Sequence, residues 1–213
     1  MAITELIFPR VKTDQATLEE LERDWPKLSK RLTDPNPGLL HASRGWVLTE
    51  NGKDARDAFK EVLLFEWNEA DSFHAFVGSE QFGAFAASIR HLVTGPPTLQ
   101  LFETNESPKE AASAAVVEII RVGVSNSKDT EASLQAWRKI SHFLASKEGA
   151  QAHVTFGKSL NLEEEIFVGI IGWLNFDDRI RVSQEGEFVD ALNTLKSFGD
   201  VSNITVGIDA MEL

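Results

Sequence analysis

The chain has 213 residues, 42% apolar and 25% charged, enough for one large core or two small ones. Asp and Glu number 33 against 21 Lys and Arg, and the net charge of −12 repels phosphate backbones and anionic lipid, so neither nucleic acid nor membrane is an expected partner. The absence of Cys excludes disulfides, thiolate metal sites and thiol nucleophiles, and the absence of Tyr excludes any step that needs a phenol.

Residues 4–11, with Glu5-Leu6-Ile7-Phe8, read as a strand stopped by Pro9 or soon after. Asp14 or Thr17 can cap a helix in which Leu18, Leu21, Trp25, Leu28 and Leu32 form one apolar stripe, with a kink expected at Pro26. Asp34-Pro35-Asn36-Pro37-Gly38 is a stop. Leu39 to Thr49 reads as a second strand, Asn51-Gly52 as a turn, and the polar stretch through Asp57 as a loop. Glu61 to Trp67 is a nearly continuous apolar strand, expected to be buried on both faces. Residues 71–93 read as helix, broken near Gly78, and Thr98 to Glu103 as a fourth strand. The order is β-α-β-β-α-β, the ferredoxin-like unit.

The polar, Pro-containing stretch that follows reads as a linker at 106–113, between a first repeat at 1–105 and a second at 114–213. The second repeat has a strand at Val116 to Val124, a helix at 129–147 with Leu134, Trp137, Ile140 and Leu144 inward, and strands at His153 to Leu160 and Glu165 to Asn175. A helix at 184–198 and a strand at Asn203 to Asp209 close it. Trp25–Leu48 slides onto Trp137–Leu160 at an offset of 112 without a gap, with identities that include Trp25/Trp137, His41/His153 and Gly45/Gly157. From the third strand the offset is 106, with Trp67/Trp173, Asp71/Asp177 and Phe82/Phe188, so six extra residues (112 minus 106) fall between Leu48 and Phe65. Each unit leaves one sheet face bare. Two units in one chain cover both faces by closing on each other, giving an α+β fold: two ferredoxin-like repeats forming a pseudo-dimeric α/β barrel. Such a chain is expected to be a monomer, or at most a weak homodimer. The longest apolar run, 166–174, is too short to cross a bilayer, no signal peptide is visible, and cytoplasm is the expected location.

Phe65-Glu66-Trp67-Asn68-Glu69-Ala70-Asp71-Ser72-Phe73, followed by Ser79-Glu80-Gln81-Phe82, Phe85 and Leu99-Gln100-Leu101-Phe102-Glu103, resembles the antibiotic biosynthesis monooxygenase family of the dimeric α/β barrel superfamily. The resemblance covers about forty residues of the first half well and the second half weakly. It implies a pocket between helices and sheet in each half, and an enzyme that needs no metal or organic cofactor. Such an enzyme would be an oxygenase acting on an apolar, aromatic or polyketide-like small molecule. A polyketide cyclase, isomerase or decarboxylase on the same fold, or a non-catalytic small-molecule-binding or stress-related barrel, are the alternatives it leaves open. The helix His positions of many members fall on Phe76 and Gln81, and the first-strand Asn is replaced by the run Glu5-Leu6-Ile7, so heme degradation is not expected.

For an oxygenase or cyclase the sequence offers His41 as a general base, which alternation places on the same strand face as Ser43 and opposite Arg44 and Trp46. A structural hydrogen bond is the other reading of His41. Trp67, with Phe65, Asn68, His74 and Phe76 around it, is the candidate substrate wall, although Trp67 also suits ordinary core packing and Asn68 also suits a helix cap. His153 and Trp173 are the second-half equivalents. No metal motif, dinucleotide fingerprint, phosphate loop or nucleophile elbow occurs.

Overall fold

Strands that read as continuously apolar do so because one face meets helices and the other lines a closed barrel. The computed structural model describes residues 1–147 and 152–213. Its first repeat comprises β1 (Ala2–Phe8), α1 (Gln15–Thr33), β2 (Leu39–Glu50), a short β3 (Lys53–Asp54), β4 (Glu61–Trp67), α2 (Ala70–Val77), α3 (Glu80–Ile89) and β5 (Thr98–Thr104). After α4 (Lys109–Ala112) the second comprises β6 (Val116–Val124), α5 (Thr130–Ser146), β7 (His153–Ser159), β8 (Glu165–Trp173), α6 (Phe176–Ser183), α7 (Gly186–Lys196) and β9 (Val201–Ala210).

The strands run β2-β4-β1-β5-β7-β8-β6-β9, and β9 returns to pair with β2. Each repeat contributes four strands in the same ferredoxin-like order. The two repeats meet at two seams: the fourth strand of each pairs antiparallel with the second strand of the other. The β2–β9 seam runs from Ser43–Ala210 to Glu50–Ile204, and the β5–β7 seam only from Phe102–Ser159 to Thr104–Gly157. Closure of the barrel leaves the eight strands without a free edge, and β3 adds a short hairpin outside it.

Alternation along the strands sorts residues into three cores. Leu6, Val62, Leu64, Phe102, Val117, Ile119, Val168, Ile170, Ile204 and Val206 fill the barrel. The odd positions of β1 and β4, Ile7, Leu63, Phe65 and Trp67, point outward under α1, α2 and α3. A matching layer in the second half centres on Trp137, Trp173 and Phe188.

Local chemistry explains the element ends. Asp14 caps α1, accepting from the Thr17 backbone N–H at 3.0 Å and from its hydroxyl at 2.8 Å. The helix runs unbroken through Pro26, which lies on its exposed face, where the loss of one backbone donor is least costly. Asn51 and Gly52 both have positive φ, as a tight two-residue hairpin between β2 and β3 requires, and the six extra residues of the first half lie here. The helix expected over 71–93 with a break near Gly78 is α2 and α3, separated there because Ser79 starts α3 by accepting from the Phe82 N–H at 3.1 Å. The second half has the same pair. There α6 occupies 176–183, between the expected strand and helix, and Asn175 caps it through the Asp178 N–H at 2.8 Å. The stretch expected to be a linker holds α4, whose Ala111 and Ala112 are buried against the barrel core. Among the described residues no helix is long and apolar enough to cross a membrane.

Candidate active site

Between the sheet and helices of the first half lies an apolar cavity of about 640 Å³. Its floor is β1 and β4, with Glu5, Ile7, Leu63 and Phe65. Its roof is Leu21, Trp25, Phe76, Phe82 and Phe85 from the three helices. The lining residues that reach solvent, such as Arg10, Arg90 and Pro96, lie at the far end of β1, so the cavity is buried at Glu5 and open there.

Glu5 is the conspicuous polar group. It is 2% exposed on β1, between the cross-strand partners Phe65 and Leu101. Burial pushes its carboxyl up to about 7, and a hydrogen bond from the Trp67 indole opposes that rise. The bond, Nε1 to Oε2 at 2.8 Å, comes from the only donor to this carboxyl among the described residues, which leaves its other oxygen for a molecule in the cavity. Trp67 is fixed in turn by Phe65, Phe73 and Phe76, with ring centroids 6.4, 6.0 and 5.5 Å away.

A second buried carboxyl, Glu61, lines the cavity toward its mouth. It bonds to the Arg44 guanidinium, which also reaches Glu22 at 2.7 Å and lies between the rings of Trp25 and Trp46, 4.0 and 5.1 Å from their centroids. Burial raises the Glu61 carboxyl and the Arg44 charge opposes the rise. With its charge satisfied by Arg44, Glu61 is a structural partner, whereas Glu5 has no cation.

The residues singled out in the sequence divide into three groups. Phe65 and Phe76 line the cavity. Trp67 lies behind them, fully buried, and meets the cavity through Glu5. His41 and Ser43 lie on the other side of the sheet, inside the barrel, where His41 Nε2 and Ser43 Oγ are 2.7 Å apart. Burial holds the His41 imidazole below its ordinary value, with Glu66 opposing. Glu66 accepts from Ser107 Oγ at 2.6 Å. The thickness of the sheet thus separates His41 from the cavity. Asn68 and His74 are exposed, and Asn68 donates its backbone N–H to the Gly38 carbonyl at 2.9 Å instead of capping α2. His153 is exposed as well. Trp173 is buried and repeats the Trp67 bond, donating to Glu118 at 2.9 Å.

The second half keeps this wiring and loses the space. Gly169 stands at the offset of Leu63, and a Cβ there would come within 2.0 Å of the Trp137 ring. Trp137, fully buried, therefore lies directly on the sheet and stacks on Phe156 at 6.4 Å. Its first-half counterpart Trp25 is held outward by Arg44, which stands where Phe156 does. Glu118, the counterpart of Glu5, accepts from Arg179 and Asn203 at 2.7 Å each as well as from Trp173, so no oxygen of it is left without a donor. Phe73 replaces Arg179 in the first half. The same unit thus has a filled core in one copy and a cavity with an under-bonded carboxyl in the other. Among the described residues no group of three or more His, Asp or Glu is placed to hold a metal ion.

No family model matches the chain, and no curated protein matches its sequence. Solved structures share its architecture over almost the whole length. An anthrone oxidase-like protein matches at TM-score 0.67 and 12% identity, over 99% of this chain and 92% of that one. A provisionally assigned monooxygenase from Lactobacillus acidophilus NCFM matches at 0.62 and 13% identity, over 99% of each chain. Another, from Fusobacterium nucleatum subsp. nucleatum ATCC 25586, matches at 0.63 and 11%, over 99% and 94%. At these identities the likeness is one of fold, and the chain has the fold of these monooxygenase-like proteins: a dimeric α/β barrel written as a tandem repeat in one polypeptide.

Proposed function

We propose that this chain is an enzyme that works without a metal or organic cofactor on an apolar aromatic or polyketide-like small molecule, as an oxygenase of the antibiotic biosynthesis monooxygenase type. The observation that carries the reading is Glu5, a carboxyl with a pKa of about 7 and a single indole donor, facing an apolar cavity. A base tuned near neutrality among apolar walls is suited to take a proton from a carbon flanked by aromatic rings and a carbonyl. The role first read for His41 thus passes to Glu5, with Trp67 as its positioning residue.

For an anthrone the balance is simple. Glu5 takes a proton from the ring CH₂, giving an enolate. The enolate carbon transfers electrons to O₂ and bonds to it, and the peroxide anion recovers the proton. Loss of water then leaves a ketone, so that substrate plus O₂ gives quinone plus water. The first half does this chemistry and the second serves as scaffold. The monooxygenase-like and anthrone oxidase-like neighbours support the choice of oxygen as acceptor.

The test is turnover of anthrone with ¹⁸O₂, followed by oxygen uptake and product mass. One labelled oxygen in the quinone is expected. Equal turnover without oxygen would replace the oxygenase by a cyclase or isomerase, and binding without turnover would leave a binding barrel.

A further inference from the structure

The open end of the cavity carries two charges that the proposed chemistry does not use. Arg10 follows Pro9 beyond β1 and Arg90 ends α3, and both line the cavity mouth. Arg23, Arg44, Arg56, Arg138, Arg179 and Arg181 each hold a carboxylate. Among the described residues Arg10, Arg31, Arg90 and Arg121 hold none, and of these four only Arg10 and Arg90 line the cavity. Glu20, the α1 carboxylate that reaches this segment, is taken by His91 at 2.7 Å.

The mouth is a built feature. Val11 pairs with Val93, and the Arg10 carbonyl accepts from the Thr94 N–H at 2.7 Å and from its hydroxyl at 3.1 Å. The segments that carry Arg10 and Arg90 are therefore tied side by side, and the Arg10 side chain lies against Gly95. Five steps of extended chain lead from Glu5 to Arg10, roughly 16 Å at about 3.3 Å per residue. The cavity is thus polarised along its length: a carboxyl at the buried end, apolar walls between, and two unpaired guanidinium groups at the exit.

We infer that the ligand is an aromatic acid, a flat apolar body with a carboxylate at the end opposite the reacting carbon, and that Arg10 and Arg90 bind that carboxylate. This rests on the reading of the cavity as the substrate site. The planar guanidinium fork matches a carboxylate. Orientation follows as well. A carboxylate placed at the inner end would be buried without a cation beside Glu5, whereas at the mouth it meets opposite charge and water. The acidic carbon is thereby directed to Glu5.

The test is the binding of 2-anthracenecarboxylate and of its neutral isostere 2-anthracenecarboxamide, followed by anthracene fluorescence, to three forms of the full chain. The forms are wild type, R10Q/R90Q, and R23Q/R56Q, which loses the same charge elsewhere. The acid is expected to bind wild type and R23Q/R56Q about tenfold tighter than the amide, with the preference falling to about twofold or less in R10Q/R90Q. Amide affinity is expected to be equal in all three. Equal affinities of acid and amide for wild type, or a preference that survives in R10Q/R90Q, would overturn the inference and leave the apolar cavity standing. Failure of both probes to bind wild type would overturn the cavity reading and the inference together.

Discussion

Replacing Glu5 by Gln separates the catalytic from the structural meaning of this residue, because the two predict opposite signs. Gln keeps the volume and an acceptor for the Trp67 indole but cannot titrate. As a lost general base it costs about 10²- to 10⁴-fold in turnover. In the wild type, kcat/KM is expected to rise with pH and reach half its maximum near 7, the carboxyl being about one tenth ionised one unit below. Stability moves the other way. A carboxyl lifted from 4.5 to about 7 by burial binds its proton more tightly in the folded chain. Its contribution to stability is therefore fully present below pH 4.5 and is lost as pH rises toward 7. Above pH 7 the ionised group costs about 3 kcal/mol, two to three pKa units at about 1.4 kcal/mol each. Glu5→Gln removes that cost, so at pH 8 the variant should melt higher than wild type, by about 6–12 °C at most. Near pH 4.5 the two should converge. Anthrone turnover and thermal melts at pH 5 and pH 8 read both effects. A variant that retains full turnover, or that melts below wild type at pH 8, would refute the reasoning.

Trp67→Phe removes the hydrogen bond that holds the Glu5 carboxyl down, so the midpoint of the pH–rate profile is expected to move above 7; an unmoved midpoint would detach Trp67 from the base. Arg44→Met leaves Glu61 buried and unpaired and is expected to cost about 3–5 kcal/mol in urea unfolding at pH 7. Adding Glu61→Leu should recover most of that loss, and a double variant as unstable as the single one would place the loss in the Trp25 and Trp46 contacts instead. Gly169→Ala drives a Cβ into the Trp137 ring and is expected to destabilise by about 1–3 kcal/mol in the same measurement, with cavity binding in the first half unchanged. His41→Gln, inside the barrel, should leave turnover within about twofold of wild type, far short of the loss expected for a base.

The architecture was legible because each unit repeats a hydrophobic rhythm that makes sense only with both sheet faces covered. The elements that escaped notice are those with little apolar signal. In α6 only Val182 is buried while Ile180 is exposed, so its one usable sign was the cap residue Asn175. In α4 four residues are too few for a period. Glu5 is hard to read from sequence for a different reason. Its signal, a carboxylate inside a buried strand, recurs as Glu118, but the ungapped identity between the halves starts at Trp25 and leaves out the first strand. His41 drew attention by its identity with His153, yet a shared residue type records a shared place on a strand. Which side of the sheet it faces depends on the register that sets His41 beside Glu66, and that register involves a bulge between Leu39 and His41 that no local pattern announces.

Joining the two halves in one chain has a consequence for inheritance. In a symmetric homodimer every codon writes two places at once, so a Phe in place of Arg44 would close both cavities in a single step. Here Arg44 and Phe156 answer to separate codons, as do Leu63 and Gly169. One copy could then accept whatever packs best while the other kept an under-bonded acid and an empty volume, both costly to the fold. The closely packed Trp137 and triply bonded Glu118 of the second copy are the other side of that arrangement: what is filled and bonded in one copy is open and under-bonded in the other.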